Sequence, residues 1–524
     1  MRPSLTRRAF LSGAAASAGG LALADSPLTA LRPQARPGSA ATPPAPPQPF
    51  APGKRPVPRP SLDDLVRNAR LGGDVSIALR DTATGEVRGQ YQGDVEVPPA
   101  SVTKTVTTLY ALDTLGPAHR FATRVLATGA LAGDTLTGDL ILAGGGDPGL
   151  DTDGLGALVD ELVAAGIRRV EGRFLVWDGA LATFPQIEPS QPVHVSYNPA
   201  VGGLNVNYNR VHFEWARAGS EYDVTMQARA ARYSPDVPAI GMEVIDRSVP
   251  VYTYAEGEAS EEWTVARGAL GTGGSRWLPI RHPWIYAGEV FQAICAYQGI
   301  VLPAPERAAA EPETALELAR LESAELAEIA RDMLYYSTNL TAEVLGLAAS
   351  AARSLEPATL KVSAAMMNLW VRQRFGERVA FADHSGLSDE SRVSALSLTA
   401  VLAHPAARES LRPLLKTHLM LDAQGNLMDP PPAVVQAKTG TLNFVSALAG
   451  YARTIGAADL SFATLTASHE RRAETAGSEE ETPPGARDWL ARSRGLQEGA
   501  LRLWGRSFSA TPAERAALAE LDHG

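Results

Sequence analysis

The chain has 524 residues, 45% of them hydrophobic and 20% charged, so it can bury a large core and divide into more than one domain. Its net charge of −10 comes from 58 acidic and 48 basic side chains spread along the length, which leaves no basic face for a polyanion and excludes nucleic acid as a partner. Cys295 is the only cysteine, so an internal disulfide or a cysteine metal cluster is impossible. Flanked by Phe291, Ile294 and Ile300, it reads as a small buried hydrophobe.

Residues 1–24 read as an address. Arg7 and Arg8 precede a short run of small apolar residues and a small-x-small site at Ala22-Leu-Ala24, a pattern similar to a twin-arginine signal peptide and too short for a stable membrane helix. This predicts export, with the protein acting in the periplasm and holding no integral membrane segment once the signal is removed. Residues 25–60 are dense in proline, as in Pro43-Pro-Ala-Pro-Pro47, and form a linker. A globular pattern begins at Ser61, an N-cap, and continues through strands at Val75–Leu79 and Glu86–Tyr91. Pro98 and Pro99 stop the strand, and a helix is predicted from Ser101 to Leu115, ending at Gly116. Residues 61–120 thus form the first part of one domain.

From 121 to 280 the texture changes to short strands with Gly, Asp and Asn turns, which predicts a β-rich insertion. Gly144–Gly149 and Gly271-Thr-Gly-Gly274 lie in this stretch; the first lacks a P-loop lysine and an EF-hand set of carboxylates, and both read as turns. Helical spacing returns at 283–299, 323–352 and 357–375, then strands at 442–452 and 460–467, so 281–508 is the second part of the first domain. Trp489–Trp504 is predicted as a helix packed on the sheet, and 509–524 as a tail. The fold class is α/β (α+β), an antiparallel sheet flanked by helices and interrupted by the β-rich insertion.

The chemistry is signalled by lysine usage. Only five of the 48 basic side chains are Lys, at 54, 104, 361, 416 and 438. Arg stays protonated, whereas Lys can lose its proton when desolvated or set near another cation. Two of the five fall in Ser101-Val-Thr-Lys104 and Lys438-Thr-Gly-Thr441. The three-residue spacing in the first puts an amine one helical turn from a hydroxyl, where it can take the hydroxyl's proton. Ser101 also stands at the positive end of its helix. Between them lies Ser337-Thr-Asn339, a hydroxyl and an amide able to donate and accept, on a helix continuing through Glu343. Gly440 leaves room for a substrate backbone along the strand edge.

Each motif is weak alone; together, in this order, they match the S-x-x-K, Ser/Asn and K-T-G set of penicillin-binding proteins and serine β-lactamases. From about Leu62 to Ala467 the chain resembles the class C low-molecular-mass penicillin-binding proteins, the D-alanyl-D-alanine carboxypeptidase/endopeptidases, which also share Leu142-Ala-Gly-Gly-Gly-Asp-Pro148, Tyr197–Asn207 and Asp383-His-Ser-Gly-Leu-Ser388. The resemblance implies a penicillin-binding/serine β-lactamase-like catalytic domain acting on peptidoglycan stem peptides, inhibited by β-lactams and using neither metal nor cofactor. It implies that Ser101 attacks the carbonyl between two D-alanines with Lys104 as base, that Ser337 relays a proton with help from Lys438, and that Asn339 holds the substrate amide. Thr439, Gly440 and Thr441, with Asp383 and Ser385, would bind substrate, and the N–H groups of Ser101 and Thr441 would form the oxyanion hole. One position departs: His384 stands where the family usually has Gly, which would alter the loop and add a titratable group near the cleft.

Two other readings remain open on the sequence. A serine β-lactamase shares the acylation machinery, but the large insertion and the absence of an E-x-x-L-N segment weigh against it. A catalytically silent wall-binding protein would keep the fold, yet drift would be expected to break one of the five motif residues. Neither G-x-S-x-G nor H-E-x-x-H occurs, so neither a Ser/His/Asp hydrolase nor a zinc amidase has support.

Overall fold

Alternating apolar residues in Asp74–Asp81 send Ile77 and Leu79 to one face of a sheet and Ala78 to the other, as period-two strands must. In the computed structural model, which describes residues 60–508 apart from 258–259, 354–356 and 479, this strand belongs to a six-stranded sheet. The order is Lys416–His418, Ala433–Leu442, Val445–Thr454, Asp459–Ala467, Asp74–Asp81, Val87–Tyr91, and every neighbouring pair is antiparallel. The signal-like segment, the linker up to residue 59 and the tail 509–524 lie outside the described residues.

Both faces of the sheet are covered. Leu62–Ala69 and Ala486–Ser507 lie on one side, where Trp489, Leu496, Leu501 and Trp504 pack with Ile77, Leu448 and Phe462. The C-terminal helix is therefore the sheet-packed element its spacing predicts, and the indole N–H of Trp489 donates to the Leu71 carbonyl at 2.8 Å. On the other side lie Thr103–Leu115, Asn339–Ala352 and Ala395–Ala403, whose Val106, Tyr110, Val344 and Leu398 meet Ala449 and Leu465. Among the described residues no helix is long and apolar enough to cross a membrane.

A second core forms after Phe121. Its five-stranded sheet runs Pro305–Arg307, Phe174–Trp177, Leu140–Ala143, Ala122–Ala127, Leu316–Glu322, and three three-stranded sheets pack with it. This region ends later than 280: helix Pro283–Tyr297 and both strands at 305–307 and 316–322 belong to it, so the return to the first core comes after Glu322. Helical spacing shows that 283–297 is a helix but not which core it serves. Val290, Phe291 and Ile294 decide that by packing on the inserted sheet, with the Phe291 and Phe174 rings 5.6 Å apart. Cys295 is buried in this core, and burial pushes its thiol pKa upward.

Two further expectations change. The stretch 323–352 is two helices, Leu326–Tyr336 and Asn339–Ala352, and Ser337 sits at the joint with φ +62°. Lys438–Thr441 lies inside strand Ala433–Leu442, with no turn before the next strand until Leu442.

Candidate active site

Pro99 ends the preceding extended segment, and Ala100–Val102 form a single 3-10 turn that feeds helix Thr103–Leu115. Ala100 has φ +47°, a left-handed backbone that costs a non-glycine residue about 1 kcal/mol or more and collects at functional sites. Ser101 sits in this turn and is partly exposed, while Lys104, on the first turn of the helix, is fully buried. The Lys104 Nζ lies 2.9 Å from Ser101 Oγ, 2.7 Å from Asn339 Oδ1 and 2.8 Å from the Ser385 carbonyl oxygen. Burial, and then the charge of Lys438, hold its pKa well below the usual lysine range, against a smaller upward pull from Asp383 and Glu343.

These contacts fix the amine's orientation. A neutral amine has two protons and one lone pair. The Ser385 carbonyl can only accept. Asn339 presents Oδ1 to the amine because its Nδ2 donates to the Tyr197 carbonyl at 2.9 Å, which settles the amide's flip. An amine that has lost its extra proton would give both remaining hydrogens to those two acceptors and leave its lone pair for the Ser101 hydroxyl, as a general base beside a nucleophile requires.

Lys438 makes the second pair. Its Nζ donates to Ser337 Oγ and to the Thr439 carbonyl, each at 2.9 Å. Burial, with help from the charge of Lys416 on the neighbouring strand, lowers its pKa to about 8. Lys416 Nζ lies 4.2 Å from the Tyr335 ring centroid. Sequence reasoning flagged Lys416 only as one of five rare lysines; its place beside Lys438 depends on strand pairing.

Thr439 and Thr441 are exposed along the strand while Gly440 is buried. A Cβ on Gly440 would stand 2.6 Å from the Pro99 carbonyl oxygen and 3.1 Å from Ser101 N. The glycine is thus required by the close approach of the nucleophile turn, which differs from the expected substrate lane. Asp383 and Ser385 also differ from expectation. Both are buried behind the cleft, because the Asp383 carboxylate accepts from the N–H groups of Gly386 and Ser388 at 2.7 Å each and closes the loop on itself. Their loop reaches the site through the Ser385 carbonyl.

Glu343, which the sequence offered only as a helix residue, anchors that loop from below. Its fully buried carboxyl accepts from Ser385 N at 2.8 Å and His384 N at 3.1 Å. Burial and the neighbouring Asp383 push its pKa up. His384 is not in the cleft. It is completely buried, its Nε2 is 2.8 Å from Ser363 Oγ, and burial lowers its pKa to about 3, so it is neutral at physiological pH. Gly346 makes room for it: a Cβ there would be 2.1 Å from the imidazole Cγ. The unusual histidine is a packed residue matched by a glycine on the facing helix.

The open side of Ser101, Ser337 and Asn339 is a cleft of about 560 Å³. One wall is Ser190–Pro192 and Tyr197 from the inserted region, and another is Arg472 to Arg494. The walls meet at Glu481, whose carboxylate accepts from His194 Nε2 at 3.1 Å and Arg276 at 2.8 Å. Those two bonds, His194 first, lower its pKa to about 2. Only Tyr197, which opens the family-like stretch Tyr197–Asn207, was marked in the sequence; the rest of both walls consists of long-range contacts of ordinary polar residues.

Residues 59–482 match the model of the D-Ala-D-Ala carboxypeptidase 3 (S13) family. A D-alanyl-D-alanine carboxypeptidase of Actinomadura sp. (strain R39) is 28% identical over 437 residues, covering 75% of this chain and 78% of that protein. The D-alanyl-D-alanine carboxypeptidase DacB of Haemophilus influenzae is 23% identical over 417 residues, covering 75% and 85%. Among solved structures, penicillin-binding protein 4 from Haemophilus influenzae superposes with a TM-score of 0.67 at 18% identity over 86% of this chain and 99% of that one. Its complex with a β-lactam gives 0.65 at 19% identity over 84% and 99%. These likenesses show a penicillin-binding fold with an inserted region.

Proposed function

Because the chain belongs to the D-Ala-D-Ala carboxypeptidase 3 (S13) family, and is therefore a serine-type hydrolase, we propose that Ser101 is the residue acylated when it cleaves peptidoglycan stem peptides. The observation that carries this is the completely buried Lys104 amine, with its Nζ 2.9 Å from Ser101 Oγ. Ser101 Oγ attacks the carbonyl carbon of the penultimate D-alanine while its proton passes to Lys104 Nζ. The N–H groups of Ser101 and Thr441 receive the developing oxyanion. The C–N bond then breaks, and the leaving amine takes a proton through Ser337 Oγ, which the Lys438 ammonium supports from 2.9 Å. Thr439 and Thr441, with the Lys438 charge, bind the terminal carboxylate, and Asn339 holds the substrate amide. Water hydrolyses the ester and frees Ser101. Export through the twin-arginine-like segment at 1–24 brings the enzyme to this substrate in the periplasm.

The test is a labelled penicillin, which mimics acyl-D-Ala-D-Ala. A long-lived adduct of one drug mass, mapped by fragmentation to the peptide containing Ser101, is the expected result. An adduct elsewhere, or none, overturns the assignment; rapid drug turnover without an adduct favours a β-lactamase, and inert protein a silent wall-binding role.

The pH dependence of acylation has a sign that follows from the two lysines. Lys104 must be neutral, so the rate falls as pH drops through its lowered pKa. Lys438 must be charged, so the rate falls again as pH rises past about 8. Acylation rates measured from about pH 5 to about pH 10 are expected to trace a bell with its alkaline limb near Lys438's value. A profile still rising beyond that limb would remove Lys438's cation from the mechanism.

A further inference from the structure

A buried cation of the inserted region, Arg281, holds the segment whose Tyr197 carbonyl touches Asn339. Arg281 is 7% exposed, and its backbone N–H, with that of His282, is held by the buried Glu261 carboxyl at 2.7 and 2.9 Å. Its guanidinium turns the other way and gathers three carbonyl oxygens: Pro185 at 3.0 Å, Val193 at 2.8 Å and Asn198 at 2.6 Å. All three belong to the segment 185–198, which has no strand or helix of its own. Its backbone must find partners elsewhere. Asn198 adds a second tie, since its Oδ1 accepts from Ile187 N and Glu188 N at 3.0 and 2.9 Å. A planar fork of five donors can satisfy several carbonyls in fixed directions, which a lysine cannot.

The residue before Asn198 is Tyr197, whose carbonyl accepts from Asn339 Nδ2. That bond sets the amide's flip, the flip presents Oδ1 to Lys104 at 2.7 Å, and Oδ1 takes one of the two amine protons. We propose that Arg281 is a positioning residue for acylation: by clamping segment 185–198 it holds the Tyr197 carbonyl that orients Asn339 and, through it, the Lys104 amine. The inserted region is on this account a working part of the active site. The inference rests on the reading of Ser101 and Lys104 given above.

The experiment uses the mature full chain with Arg281→Met and Arg281→Lys, each also made in an Asn339→Ala background. Benzylpenicillin acylation is followed by intact mass and separated into a binding constant and a first-order acylation rate. Thermal melts establish which variants are folded. A misplacement of about an ångström at a reacting group can cost about 100-fold, so Arg281→Met is expected to slow the acylation step about 10- to 100-fold. Lysine supplies a charge but not the fork, so Arg281→Lys is expected to lose about tenfold and carries the test if the methionine variant does not fold. In the Asn339→Ala background the same changes are expected to cost less than about twofold more, because residues acting through one another are not additive. Parental acylation in a folded Arg281 variant, or an equal loss in both backgrounds, overturns the proposal. A parent chain that takes no adduct at Ser101 instead overturns the reading on which it rests.

Discussion

Lys104→Met is expected to give a folded protein whose acylation by penicillin is slower by about 10²- to 10⁴-fold, the range over which a positioned general base acts. The side chain is completely buried, and methionine fills a similar linear volume. It also removes the cost of keeping a polar amine out of water. Against this, Asn339 Oδ1 and the Ser385 carbonyl lose their donor, at about 1–3 kcal/mol for each acceptor left unsatisfied. These effects oppose one another, so the variant is expected to fold. The rate of adduct formation by mass spectrometry, beside a melting curve, is the measurement. Acylation at the parental rate would show that another group takes the Ser101 proton.

Gly440→Ala is expected to lower acylation about 100-fold and to destabilise the fold by about 1–3 kcal/mol, as overpacking of a tight contact does. The added Cβ would meet backbone, the Pro99 carbonyl at 2.6 Å and Ser101 N at 3.1 Å, and backbone cannot swing aside as a flexible side chain can. The strand carrying Lys438 and Thr441 must therefore move away from the turn carrying Ser101. That separates the two N–H groups assigned to the oxyanion hole. Thermal melts and acylation rates together check this. A variant that acylates normally would mean the substrate lane, and not the nucleophile turn, dictates the glycine.

Much of the site was legible in the chain itself because its requirements are local. A hydroxyl and an amine one turn apart need only the spacing of Ser101 and Lys104, and the scarcity of lysine in an arginine-rich chain drew attention to Lys104 and Lys438. The strands around Val75 and Leu460 and the helix after Ser101 follow from period and from Pro99 and Gly116. The resemblance joined these local signals into one family set. The roles of Asp383, Ser385 and His384 were not legible in the same way. Their types are compatible with substrate contact, but the loop folds inward on the Asp383 carboxylate and the imidazole packs on Gly346.

The sequence by itself determined the motifs, their order, the inserted region and the family, since these rest on residue identity and short-range periodicity. Tertiary structure alone decided that helix Pro283–Tyr297 serves the inserted core, that Lys416 stands beside Lys438, and that Glu343 supports the loop feeding Lys104. It also decided that Arg281 holds the segment whose Tyr197 carbonyl meets Asn339. Each of these depends on which surfaces meet across long stretches of chain, and pairing between distant segments is set by global packing, which no local pattern of side chains encodes.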